Sequence, residues 1–197
     1  MRKMPGIHLE DYLDRKTLIL GDVNTGKTTL TRKVLEALLR SRDLAGRIAI
    51  VDLAPDISVK LAKEKGLIGV GGKLLPPEGQ DILYLSGQLE PPRLSSKTEE
   101  EAIEKARKNR QIIEDLLRKV QARDILLVND VSIYLQAGTT ESLTRWLDQA
   151  ATVIANGYWG ERLGGGALTK RERAETAKLK TYFERTGRVL ILDRQPI

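Results

Sequence analysis

The sequence predicts a doubly wound α/β fold, a mainly parallel sheet held between two helical layers. Three observations predict it. Short apolar runs of strand length alternate with longer amphipathic stretches, a glycine-rich loop joins the first run to the first stretch, and no repeat or low-complexity segment breaks the alternation. Apolar runs of that length read as strands buried on both faces, and strands alternating with helices give a parallel sheet covered on both sides. The 197 residues fit a single domain, residues 1–197, and 41% hydrophobic with 30% charged residues describe a globular chain able to bury a core.

The first strand is expected at residues 17–21 and the first helix at 28–40, where Leu30, Val34, Leu35 and Leu38 share one broad face. Strands at 47–51 and 82–85 follow, separated by residues 66–80, whose glycines and prolines read as a long loop near the bound ligand. A second loop, 87–96, contains Pro91-Pro92-Arg93. The longest helix is expected at 99–121. Thr98 and Glu101 form a capping-box pattern, Glu99, Glu100 and Glu101 fill the first turn, and Arg118 and Lys119 sit in the last. A strand at 125–128, a helix at 141–150, a strand at 152–155, a helix at 170–185 and a strand at 188–192 complete the series. Thr169 with Glu172 reads as a second capping box, and Gly187 as the stop of that last helix. In the longest helix Ile103, Ala106, Ile113, Leu117 and Val120 supply the buried stripe.

Composition excludes several chemistries. With no cysteine there are no disulfides, thiolate metal sites or cysteine nucleophiles, and a single histidine, His8, argues against a zinc site or a histidine-based triad. No apolar run approaches a membrane span, and the amino terminus lacks the apolar core of a secretory signal, so no membrane partner and a cytoplasmic location are expected. The net charge of +6 suits an anionic partner, nucleotide or nucleic acid, or else a solvated surface.

The motif that carries chemistry is Gly21-Asp22-Val23-Asn24-Thr25-Gly26-Lys27-Thr28, placed after a strand and before a helix. Its glycines let the backbone turn N–H groups inward on a phosphate chain, and the helix start adds positive potential. Lys27 supplies an ammonium for the outer phosphates, Thr28 a hydroxyl for magnesium, and Thr29 a further nucleotide contact. Turnover also needs a carboxylate to hold magnesium or its water. Asp52 and Asp130 are the candidates, each closing an apolar strand, with a turn or cap role as the alternative for either. Asp22 lines the loop or faces the γ-phosphate. Asp56 holds metal or substrate, or caps a helix beginning near Ile57. Asn156 hydrogen-bonds a base on which Tyr158 or Trp159 stacks, or else the aromatics cover the sheet edge. The absence of an Asn-Lys-x-Asp pattern favours adenine, hence ATP, over guanine. Arg93 is a candidate for neutralising transferred charge, and from Glu161 to Arg188 eight Lys and Arg face four Asp and Glu, a basic excess for phosphates, a polynucleotide or solvent.

The order of these motifs resembles the ATP-dependent polynucleotide 5′-hydroxyl kinases of RNA processing, in the SIMIBI class of P-loop NTPases. The resemblance rests on the phosphate loop, on Val51-Asp52-Leu53, on the Gly/Pro loop, and on Leu83-Tyr84-Leu85-Ser86-Gly87 with prolines soon after. It implies ATP and Mg2+ at Lys27, Thr28 and Asp52. The family's Asp-x-Asp-x-Gly-Gln is not kept, since Ala54, Asp56 and Ile57 replace its later residues, and Asp130-Val131-Ser132-Ile133 replaces Asp-Thr-x-Gly. The polynucleotide site therefore does not carry over. Three functions are expected in competition: a magnesium-dependent ATPase or small kinase, a polynucleotide kinase or RNA-linked ATPase binding RNA or DNA, and a nucleotide-controlled switch acting as a homodimer.

Overall fold

The computed structural model describes residues 7–41, 43–64, 71–120, 123–163 and 165–193. Six strands, β1 (Lys16–Gly21), β2 (Ile48–Asp52), β3 (Leu83–Ser86), β4 (Ile125–Asn129), β5 (Thr152–Tyr158) and β6 (Arg188–Leu192), form one sheet in the order β3-β2-β4-β5-β1-β6. Every pairing is parallel. The helices are α1 (Lys27–Leu39), α2 (Val59–Glu64), α3 (Pro92–Ser95), α4 (Glu99–Leu117), α5 (Ser132–Leu135), α6 (Thr140–Leu147) and α7 (Gly166–Thr186). The expected doubly wound α/β fold is the observed one.

Side chains alternate across a strand, and this divides each apolar run between two cores. Leu18 and Leu20, Ala49 and Val51, Leu126 and Val128, and Val153 and Ala155 face a core built with α4 to α7. Ile19, Ile48 and Ile50, Ile125 and Leu127, and Ile154 face the opposite core, closed by Val34, Leu35 and Leu38 of α1. The two cores are the physical meaning of three layers.

Element boundaries shift where tertiary contacts outweigh local signals. Thr98 caps α4 as expected, its hydroxyl accepting from Glu101 N–H at 3.2 Å, while the Glu101 carboxylate reaches Lys97 N–H at 2.8 Å. That helix ends at Leu117, and Gln121 lies outside the described residues. The Thr169 and Glu172 box does not form. Helix α7 begins four residues earlier than expected, at Gly166, behind Gly165 and Gly166 with φ of 125° and 73°, and Glu99 of α4 accepts from Ala167 N–H at its start. Glu172 is thereby carried inside the helix and buried. Gly187 ends α7 as expected. Helix α2 takes its cap from Ser58, which accepts from Leu61 N–H at 3.2 Å, whereas Asp56 pairs with Lys73 at 3.2 Å. The 66–70 part of the glycine-rich loop, and Gly164, lie outside the described residues.

Phe183 of α7 is fully buried and meets Tyr182 edge to face, with ring centroids 5.4 Å apart. Phe183→Ala leaves a cavity between α7 and the sheet and is expected to lower unfolding free energy by about 3–5 kcal/mol in urea titration.

Candidate functional site

Because the strands are parallel, the carboxyl ends of β1, β5, β4 and β2 open onto one edge of the sheet, the place where α/β sheets hold ligands. Gly21 pairs with Tyr158, and Asp52 pairs with Asn129. The glycine loop spans that edge. A Cβ on Gly21 would stand 2.5 Å from Thr25 Oγ1 and 2.6 Å from the Leu192 carbonyl, so the loop's entry demands glycine. Asn24 and Gly26 adopt left-handed conformations, φ 58° and 87°. Left-handed residues among right-handed ones gather backbone N–H groups into an anion-binding nest, and the 13-residue α1 begins at once behind it.

The loop borders a cleft of about 550 Å³, whose wall includes all seven residues from Val23 to Thr29. Lys27 is bent back, its ammonium donating to the Asp22 carbonyl at 2.6 Å; Thr25 Oγ1 donates to the same oxygen at 3.0 Å. Burial lowers the Lys27 pKa, while Asp130 and Asp22 pull it up. The Asp22 carboxylate faces away from the cleft, accepting from Val23 N–H at 2.6 Å and lying against Gly160.

Thr28 Oγ1 donates to Asn129 Oδ1 at 3.3 Å. Asn129 in turn donates to Asp52 at 2.8 Å and to the Gly72 carbonyl at 2.9 Å. Asp52 is wholly buried and is not part of the cleft wall. Besides Asn129 it accepts from Ala54 N–H at 3.2 Å, Leu74 N–H at 2.9 Å and Tyr84 OH at 3.1 Å. It anchors a strap, residues 71–74, that also receives Arg32 on the Lys73 carbonyl at 2.7 Å and sends Lys73 to the Ala54 carbonyl at 2.5 Å.

Asp130 is the one carboxylate in the cleft wall among the described residues. Its backbone is left-handed, φ 61°, held by its N–H donating to Asn156 Oδ1 at 3.0 Å and by Ser132 donating to its carboxylate. Burial raises its pKa; the Ser132 hydroxyl, Lys27 and Arg93 work in the other direction. Asn156 reaches the cleft floor rather than standing free for a base. Both amide hydrogens are engaged, with Thr31 Oγ1 and Asn129 Oδ1, each at 2.9 Å.

Tyr158 closes one side of the cleft, its OH accepting from Leu163 N–H at 2.9 Å. Arg93 stacks on that ring, 5.2 Å from its centroid, behind the wall. Its guanidinium pairs with Glu172 at 2.9 Å and donates to the Leu163 carbonyl at 3.1 Å. Glu172 also accepts from Gln136 at 2.9 Å, and burial pushes its pKa to about 7 against the pull of Arg93. Trp159 is covered by Arg173, 5.8 Å from its ring centroid. Several cations of α7 are engaged within the chain: Arg171 with the carbonyls of Ala137 and Gly138, Lys178 with Glu175, and Lys180 with Glu184.

Asn129 is a polar group at the cleft that sequence reasoning passed over, whereas the strap falls within the 66–80 loop expected near the ligand. A signal existed: Ile48-Ala49-Ile50-Val51-Asp52 and Ile125-Leu126-Leu127-Val128-Asn129 are equal runs closed by a polar residue at the same position, and those two residues are register partners.

No family model matches the sequence, and comparison with curated proteins gives no match. Among solved structures the chain is similar to the flagellar accessory protein FlaH from Methanocaldococcus jannaschii, at 12% identity and TM-score 0.43, over 88% of this chain and 75% of that one. It is similar to an ATPase from the type III secretion system of pathogenic bacteria, at 14% identity and TM-score 0.43, over 97% and 56% of the two chains. For the Pif1 helicase from Candida albicans the figures are 15%, 0.34, 92% and 36%. These likenesses are loose, and the chain spans little more than half of the second relative and about a third of the third; the functional reading rests on the chain's own geometry.

Two outcomes are expected from this geometry. Asp52→Ala strips an acceptor from four donors and should cost about 2–4 kcal/mol in denaturant titration, with faster amide exchange at Leu74. Glu172 binds its proton more tightly folded than unfolded, so its contribution is fully present below about pH 4.5 and is lost as pH rises toward 7. Glu172→Gln should therefore flatten the stability decline between those values by up to about 3 kcal/mol, read from urea midpoints against pH.

Proposed function

We propose that the chain binds ATP with magnesium at residues 21–29 and acts as an ATPase or small kinase. The observation that carries this reading is the Lys27 ammonium, half-buried at the mouth of a glycine nest and turned onto the Asp22 carbonyl. A triphosphate is the ligand that would exchange that carbonyl for stronger, charge-assisted bonds. The cleft offers hard oxygen donors for magnesium, the Thr28 hydroxyl and the Asp130 carboxylate, beside phosphate oxygens and water. Bound there, magnesium would neutralise charge on the outer phosphates.

The roles then divide. Lys27 and the nest hold the phosphate chain. Asp130, with its raised pKa and its place in the cleft wall, is the group to orient an attacking oxygen and take its proton. Asp52 serves through Asn129, whose carbonyl already receives the Thr28 hydroxyl. This arrangement lends little support to the polynucleotide-kinase reading, which places Asp52 itself at the metal. Binding of RNA or DNA would show as affinity falling steeply with salt.

A second reading, the nucleotide-controlled switch, is favoured by one feature: Asn129 stands where β4 ends beside Thr28, leaving Asp130 as the sole described carboxylate of the cleft. Turnover separates the two. Calorimetry with ATP and magnesium should show one site, and Lys27→Ala should weaken it by at least about 100-fold, or ~2.7 kcal/mol, and abolish hydrolysis. Unchanged affinity in Lys27→Ala overturns the site, and tight binding without turnover decides for the switch.

A further inference from the structure

A second cleft, of about 520 Å³, adjoins the first. It is lined by α3, the turn after it, the first turn of α4 and the segment leading into α7. Leu163 belongs to both clefts, and the stacked pair Tyr158 and Arg93 stands behind it.

Charge in this cleft is unbalanced. Arg93, Lys97 and Arg162 line it against a single carboxylate, Glu99, which already accepts the Ala167 N–H. Arg93 holds Glu172 and the Leu163 carbonyl and retains N–H donors beyond those two partners. Lys97 and Arg162 are exposed. Ser96 lines the same cleft, and its buried Oγ has no hydrogen-bond partner. A buried hydroxyl without a partner is uncommon and calls for an explanation. Three cations and one orphan donor form a set that matches the oxygens of a phosphate group, and arginine in particular recognises them through paired N–H bonds. The volume is close to that of the first cleft and falls in the range of small-molecule sites.

We propose that the second cleft binds a phosphorylated small molecule, its phosphate held by Arg93, Lys97 and Arg162 and accepting from Ser96 Oγ. The site stands apart from the phosphate loop, so it does not depend on what the first cleft holds.

Ribose 5-phosphate is a suitable probe, since it carries one phosphate and neither base nor anhydride. Calorimetry should show it binding to the wild-type chain and to Lys27→Ala alike. Lys97→Ala combined with Arg162→Ala should weaken binding at least about tenfold, and Ser96→Ala about threefold or more, with melting temperature unchanged because all three side chains lie off the core. No binding to the wild type up to ~10 mM, undiminished binding to the double variant, or loss of binding in Lys27→Ala each overturns the proposal, the last by placing the phosphate in the first cleft. Binding of a single-stranded oligonucleotide with none of ribose 5-phosphate also overturns it. Failure of ATP to bind the wild type would sink the proposed function and leave these results standing.

Discussion

A buried chain of side-chain hydrogen bonds crosses the sheet beneath the glycine loop, and the site depends on it. It runs from Asp52 on β2 through Asn129 on β4 and Asn156 on β5 to Thr31 on α1. None of these four is more than 1% exposed. Polar groups at that depth are costly unless bonded, and each here has its partner. The chain therefore ties the carboxyl ends of three strands to the helix behind the loop. Its branches reach Thr28 through Asn129, Asp130 through Asn156, and the strap at Gly72 and Leu74 through Asn129 and Asp52.

The electrostatics follow from that frame. Lys27 and Asp130 both line the cleft, and each opposes the shift that burial imposes on the other. The nest and the start of α1 add positive potential on the loop side. The Lys27 ammonium rests on the Asp22 carbonyl, so an incoming anion has to draw it into the cleft, while the backbone of the loop and of α1 is already set. Behind Tyr158 a different pair, Arg93 and Glu172, is buried to brace the wall between the two clefts. The sheet edge thus presents two neighbouring cavities whose shared boundary is itself charged.

Much of this was legible in the sequence, for reasons that differ by residue. Strand and helix order could be read because period-2 and period-3.6 patterns are local properties of the chain. The loop at 21–28 could be read because its chemistry is set by consecutive residues. The start of α7 is not legible at Thr169, because the helix begins behind Gly165 and the acceptor for its first-turn Ala167 N–H, Glu99, comes from a distant helix. For Asn156 the sequence shows a strand end, where a base contact is one expectation, but not its amide partners on β4 and α1.

The sequence by itself determined the alternation that splits each strand between two cores, and the glycine loop with its lysine and threonine. Only the tertiary structure decided which acid faces the cleft. Asp52 and Asp130 look equivalent in the chain, each following an apolar strand. Folding places Asp52 between β3 and β4, where the strap and Tyr84 cover it, and turns Asp130 outward through a left-handed backbone. Side-chain direction at a strand's end is set by the neighbours that the sheet order brings, and that order is a property of the whole chain.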